Sequence, residues 1–327
     1  MPYTGPVTSH LPRLRPYSDV DLPRLSRTFA AWIAEAGRCG YDHVGEVPHR
    51  IYENLRGRPV GELVQLWEAG DEIVGLGINL RFGAAFDVFC APALRGTAAE
   101  MAMLRTAYET TARAMTADPV TEPYVLTDVF DCDTTRIRLL GELGFARFRT
   151  WDDVTVRELA DPLADPLADP LDEPVAPEGF VLRTARLADA DGLARARNSA
   201  FEADWTAELY RSAVMTRPGY SPEREIVAEA PDGRIAAFAV YWLDRHNRVG
   251  HFEPVGTHRD FHRRGLARAV MLTAMHRMRA AGMATVTVNY NADNLPAQRL
   301  YAGLGFRREH QTYGFRRPRT AAGQDSC

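Results

Sequence analysis

The chain has 327 residues, enough for two domains of ordinary size with a core each. Its formal charge is -4, so the strong basic excess that usually meets nucleic-acid phosphates is missing, and no nucleic-acid partner is expected. No run of 18 apolar residues occurs and the N-terminus has no charged stretch leading into an apolar one, so neither a membrane partner nor secretion is expected.

All 39 basic residues are arginine. The chain therefore offers no side-chain amine for self-acylation or Schiff-base chemistry. Cys39, Cys90, Cys132 and Cys327 are scattered, with no metal-ligand or redox spacing, which predicts free thiols, no metal, and a reducing, cytoplasmic compartment.

In chain order, the first clear pattern is a candidate strand, FDVFCAP, followed by an apolar helix entered through Arg95 and Gly96. Glu100 lies in its first turns. A second strand-like stretch, Val125 to Asp128, precedes LLGELGF, Leu139 to Phe145. Residues 160 to 178 then repeat Asp-Pro-Leu-Ala and hold five prolines, through which no helix or central strand continues. The predicted organisation is a domain over 1–158, a semi-rigid acidic linker over 159–178, and a second domain over 179–327.

Beyond the linker, GHFEPVGT alternates, which predicts a strand with His251, Glu253, Val255 and Thr257 on one face. Pro254 cannot donate to a ladder, so that strand is expected to be irregular or splayed there. Leu266, Val270, Met271, Ala274, Met275 and Met278 recur at three- and four-residue spacings, placing a helix from about Gly265 to Gly282. Its free first-turn N–H groups, the positive end of its dipole, and Arg263 and Arg264 converge where a pyrophosphate would bind best. A basic loop capping an ordinary surface helix is the plainer alternative. MATVTVNY follows as a strand, and NADNLPAQRLYAGLGF as a short helix with Tyr301 inside it and Gly305 past its end.

The two halves repeat. LLGELGF lies 161 residues before LYAGLGF, and at that offset Val125–Asp128 falls on Val286–Asn289 and Asp133 on Asn294. They do not repeat in chemistry. The first loop has one Arg where the second has a pair, Glu100 competes with a phosphate for the dipole, and Tyr301 becomes Leu140, which has no proton to give. The first half is therefore read as degenerate and non-catalytic, packing beside the second to wall a cleft.

Strand, loop, helix and strand, then Asn294, Ala297, Tyr301, Gly305 and Phe306 in order, resemble the GNAT superfamily of acyl-CoA N-acyltransferases from Phe180 onward. The resemblance implies an α/β (α+β) fold: two tandem GNAT-like domains, each a mixed, mostly antiparallel sheet with flanking helices. It implies acetyl-CoA as cofactor, with the pyrophosphate signature on His262, Arg263, Arg264, Gly265, Leu266 and Ala267, followed by Arg268. His262 stands where the family has Gln or Arg. Val255, Gly256 and Thr257 would pair with the pantetheine arm, and Asn294 and Ala297 would lie near the sulfur, although Asn294 also suits a helix cap.

The implied reaction is acetyl transfer to a primary amine of a small molecule by direct attack. Tyr301 suits the acid: a phenol near pKa 10 and a thiol near 8.5 exchange a proton at about 2 kcal/mol. A Tyr packed beneath the Gly-Phe turn is the structural alternative. Glu253 is favoured as base, with His251 as relay, and His251 occupies the place where several family members carry a catalytic Glu. Trp205, Tyr210, Tyr220, Trp242 and Tyr313 are candidate acceptor-side aromatics, though such residues are commonly core. A non-catalytic acyl-CoA sensor and a protein N-terminal acetyltransferase remain open alternatives, as do monomer and homodimer.

Overall fold

A computed structural model describes residues 12–117, 121–159 and 170–319. Twelve strands form one mixed, mostly antiparallel sheet: β1 (Arg13–Pro16), β2 (Val64–Ala69), β3 (Glu72–Arg81), β4 (Ala85–Cys90), β5 (Tyr124–Phe130), β6 (Ala146–Glu158), β7 (Val181–Thr184), β8 (Glu225–Glu229), β9 (Ile235–Asp244), β10 (Val249–Thr257), β11 (Thr285–Asn291) and β12 (Arg307–Pro318). Their order across the sheet is β1-β2-β3-β4-β5-β12-β6-β11-β10-β9-β8-β7.

That order shows how the repeat is built. At the 161-residue offset β5 corresponds to β11 and β6 to β12, yet β5 pairs with β12 and β11 with β6. Each half's last strand thus crosses into the other half's sheet, and the two exchanged strands pair antiparallel at the centre. The cores follow the exchange: Phe315 of β12 is buried with the first half, and Leu159 with the second. The halves share a backbone ladder as well as an interface.

The principal helices are α1 (Leu22–Ala36), α2 (Ala98–Ala117), α3 (Thr134–Glu142), α4 (Ala190–Phe201), α5 (Leu266–Ala280) and α6 (Leu295–Gly303). The apolar stripe of α5 packs on the face of β10 and β11 that carries Phe252, Val286 and Val288. The opposite face meets α4 and, from the first half, a helical segment over Glu46–Pro48 that continues as a π turn over His49–Asn54. Gly45 admits that approach: a Cβ there would lie 2.2 Å from the Trp242 side chain. Of the Pro-rich stretch, residues 160–169 lie outside the described residues, as does Cys327. The remainder of the stretch runs against α5, where Arg268 and His276 bond to Asp172.

Two sequence expectations are corrected. Cys39 and Cys132 are not free thiols; they form a disulfide, because the fold brings the chain after α1 beside the end of β5, a contact that a separation of 93 residues does not reveal. Cys90 is free and buried. The single-face alternation of β10 also breaks. Its register against β9 shifts between Phe252 and Val255, so Glu253 and Pro254 oppose one residue, and Val255 and Thr257 move to the face opposite His251.

Candidate active site

The bulge at Glu253 and Pro254 opens the sheet where chemistry is expected. Parallel pairing of β10 with β11 runs from Val249↔Thr285 to Phe252↔Val288 and stops there, leaving the strands apart beyond the bulge. The bulge carbonyl of Glu253 is held by the indole N–H of Trp242 at 2.8 Å. The splay expected from Pro254 is present, and beyond it Val255–Thr257 pair with β9 but not with β11, which leaves room for an extended arm on that side.

Below the gap, the loop before α5 has the features of an anion cradle. Arg263 (φ 61°) and Gly265 (φ 78°) are both left-handed, which turns successive N–H groups toward one point, and α5 has no acidic residue in its first turn. His262 closes the loop through its ring Nε2, 3.0 Å from Thr257 O. Arg263 and Arg264 are exposed and Leu266 is buried in the core, so Leu266 and Ala267 offer only backbone N–H groups. Arg268 instead bonds Gly303 O and Asp172. Asn294 caps α6, accepting from Ala297 N at 3.1 Å. The residues present fit an acyl-CoA: an acid-free cradle for a pyrophosphate and a strand gap for its arm.

The equivalent place in the first half differs in one decisive side chain. Glu100, fully buried, accepts from the N–H of Gly96 and pairs with Arg136. Its carboxylate occupies the donors that a phosphate would take.

Tyr301 is buried between Tyr290 and Phe306, with ring centroids 5.3 and 5.9 Å away. It packs against the Gly-Phe turn, and it also lies close enough to Glu253 for that carboxylate to act on it. Burial first, and then Glu253, hold its phenol protonated well above the usual range.

Glu253 and His251 have different nearest partners. Both lie in a cluster with Glu46, all three within 4.8 Å of one another, in which Glu46 and His251 are buried and Glu253 is partly exposed. His251 donates from Nε2 to Glu46 Oε1 at 2.7 Å, and its Nδ1 meets Thr287 Oγ1 at 2.8 Å. His43 stacks on it at 5.1 Å, held neutral by burial with its pKa lowered to about 3. Burial opposes charge on Glu46, yet Arg50 and His251 keep it ionised, its pKa well below the ordinary carboxylate value. Arg50 also pairs with Asp42 and Asp87. Through its two hydrogen bonds His251 links the second half to Glu46 of the first.

The nearest cation to Glu253 is His49, whose Nε2 lies 3.3 Å from Oε1 and also meets Asn54 Nδ2 at 3.0 Å. Its Nδ1 is 3.4 Å from Glu53, and Glu53 pairs with the fully buried Arg197. Burial, with Glu46, Glu53 and Asp152 nearby, raises Glu253 to about 8 against the opposing pull of His49. Burial resists charge on His49, but Glu53 and Glu253 raise it to about 9.

A cleft opens beside His49, lined by His49, Tyr52, Glu53, Tyr220 and Trp242 among others. Of the candidate aromatics, Tyr220 and Trp242 therefore face a cavity. Trp205 and Tyr210 are core, and Tyr313 carries Arg147 against its ring. Sequence reading missed His43, Glu46, His49 and Glu53. Their only signal was the density of titratable groups in YDHVGEVPHRIYEN, three of them repeating at i, i+4.

With this geometry in view, residues 190–306 match the model of the family described as Acetyltransferase (GNAT). This part of the chain belongs to the GNAT acetyltransferase family. Among curated relatives, a mycothiol acetyltransferase of Rhodococcus erythropolis (strain PR4) is 32% identical over 183 residues, covering 52% of this chain and 60% of the relative. The chain thus matches between about a third and three fifths of the length of such relatives. Two solved structures share the whole fold. A GCN5-related N-acetyltransferase from Sphaerobacter thermophilus has 22% identity, a TM-score of 0.61, and covers 94% of this chain and 96% of its own. A tandem GNAT protein from the clavulanic acid biosynthesis pathway has 17% identity, a TM-score of 0.63, and covers 95% and 99%. The tandem two-domain α+β architecture is that of this GNAT chain.

Proposed function

We propose that this GNAT protein is an N-acetyltransferase that uses acetyl-CoA to acetylate a primary amine of a small molecule, with chemistry confined to the second half. One observation carries the reading. Glu253 and Tyr301 flank the gap between β10 and β11, one with a carboxyl group poised near pH 8 and the other held as a phenol, above an acid-free helix N-terminus.

The cofactor would supply an acetyl group activated as a thioester. The chain's residues supply the rest. Gly265, Leu266 and Ala267 would hold the pyrophosphate through backbone N–H groups, with Arg263 and Arg264 adding charge, and Val255 and Gly256 would align the arm. Glu253 takes the proton from the acceptor ammonium; a carboxylate of pKa about 8 is a far better match to an amine than an ordinary one near 4.3. Tyr301, whose burial and neighbour Glu253 hold its proton more tightly than in an ordinary phenol, would supply the proton the leaving sulfur needs.

The acceptor would enter the cleft between the halves, beside His49 and Glu53. Relatives named for mycothiol match only part of this chain, and His251 is committed to Glu46, so a small primary amine is as far as the acceptor is specified. The first half does not catalyse, because Glu100 fills its cradle and Leu140 stands in the place of Tyr301. The test is a panel of amines with acetyl-CoA, followed by thiol release. Turnover that Glu253→Gln and Tyr301→Phe both abolish or cripple supports the reading. Tight CoA binding with no thiol release from any amine refutes it in favour of a sensor.

A further inference from the structure

We infer that Cys39, Cys132, Asp131 and His310 form a zinc site whose availability is set by the redox state of the two cysteines. The site lies outside the acetyltransferase machinery and does not depend on that reading. A carboxylate oxygen of Asp131, Cys132 Sγ and a ring nitrogen of His310 all fall within 4.8 Å of one another, and Cys39 Sγ is bonded to Cys132. Cys39 Sγ lies outside that group of three and has to turn in once the S–S bond breaks; the donor set is then two sulfurs, one imidazole and one carboxylate, which suits four-coordinate zinc at about 2.3 Å to sulfur and about 2.0 Å to nitrogen.

A second observation points the same way. Asp131 Oδ1 is buried without a hydrogen-bond partner, its nearest basic neighbour being His310 Nδ1 at 3.3 Å. The Asp131 side chain is 30% exposed and faces His310, so the oxygen can be reached by an ion and shared with the imidazole. A cation there satisfies both.

The scaffold holds the four residues independently of the disulfide. Asp131 N donates to Gln311 O at 2.8 Å, continuing the β5–β12 ladder, so Asp131 and His310 are fixed by backbone. Arg95 donates to Cys39 O at 2.8 Å and pairs with Asp133, tethering the segments of both cysteines to one guanidinium. Arg38 pairs with Glu309, one residue before Cys39 and His310 respectively. Breaking the S–S bond therefore leaves the sulfurs as neighbours. Cys132 is exposed, so a small reductant reaches it.

The step balances as follows. A dithiol attacks the disulfide, the S–S bond breaks, and Cys39 and Cys132 gain two hydrogens while the dithiol leaves as its own disulfide, two electrons having moved. Zinc then displaces the two thiol protons and takes both thiolates, His310 Nδ1 and an Asp131 oxygen.

The experiment uses the full chain, reduced anaerobically and freed of reductant, titrated with Zn²⁺ against a chromophoric chelator and separately with Co²⁺. The expected result is one Zn²⁺ per reduced chain, a thiolate-to-Co²⁺ charge-transfer band, and no such site in the oxidised chain. Cys132→Ser and His310→Ala should each weaken binding about 100-fold or more, beyond what loss of a supporting group alone costs. Asp131→Asn, a near-isosteric change, should weaken it with the circular dichroism unchanged, which guards against a folding defect in the other two. The trio Glu46, His251 and Glu253 is the competing locus, and Cys132→Ser leaves it intact. Binding that survives Cys132→Ser, Co²⁺ without a thiolate band, or equal affinity in oxidised and reduced chains would each overturn the proposal.

Discussion

Glu253 is a carboxyl group with too few reasons to ionise. Burial and three neighbouring carboxylates raise it to about 8, and His49 is the one cation close enough to oppose them. The sign of the resulting pH dependence follows. A base must be unprotonated, so kcat/KM for the amine should climb with pH and level off above about 8. His49⁺ favours the ionised form, so removing it raises the carboxyl further, and His49→Gln should move the limb to higher pH without changing CoA affinity. A limb that stays in place separates His49 from the base. Tyr301→Phe should lower kcat by roughly 100-fold, the usual scale of a lost general acid, while the CoA dissociation constant stays put. Single-turnover and titration measurements on one preparation check both halves of that expectation.

At the scale of elements, the two helix entrances form a controlled comparison inside one molecule. Gly96 and Gly265 share the left-handed turn, at φ 78° in each, but Glu100 reaches back to Gly96 N whereas α5 has no acid in its first turn. Gly265→Glu brings a carboxylate to the second entrance. A Cβ there meets nothing within 4 Å, so the structural cost is confined to the positive φ, about 1 kcal/mol. CoA affinity should fall by on the order of 100-fold, as like charges juxtaposed at a binding site cost several kcal/mol. Calorimetry on the variant, with its unfolding curve as control, decides. The reverse change, Glu100→Ala, should not create a second site, because it strands Arg136 in the core and costs about 3–5 kcal/mol of stability instead.

For the whole molecule, strand exchange makes the halves inseparable. Each half of the sheet is completed by the other's last strand, and the carboxylate proposed as the base lies beside a histidine that precedes it by some two hundred residues. One CoA per chain is expected; two equal calorimetric sites would contradict the contrast between the loops. Gly45→Ala should force Trp242 and the Glu46–Asn54 segment apart, costing about 1–3 kcal/mol as overpacking does. Its effect should appear as a raised amine KM with CoA affinity retained, the opposite split from Gly265→Glu.

The sequence alone determined what depends on local order. The periodicity of α5, the left-handed glycine before it, the break at Pro254, the place of Tyr301 and the internal repeat all rest on neighbours within a few residues, and the backbone obeys them. Tertiary structure decided what depends on distant parts of the chain meeting. The bulge reversed the face of Val255, strand exchange fused the two repeats, Cys39 found Cys132, and Glu253 drew His49 where His251 was expected. A side chain's identity states which proton it can hold; only the buried charges that converge on it from the rest of the chain set the pH at which it lets go.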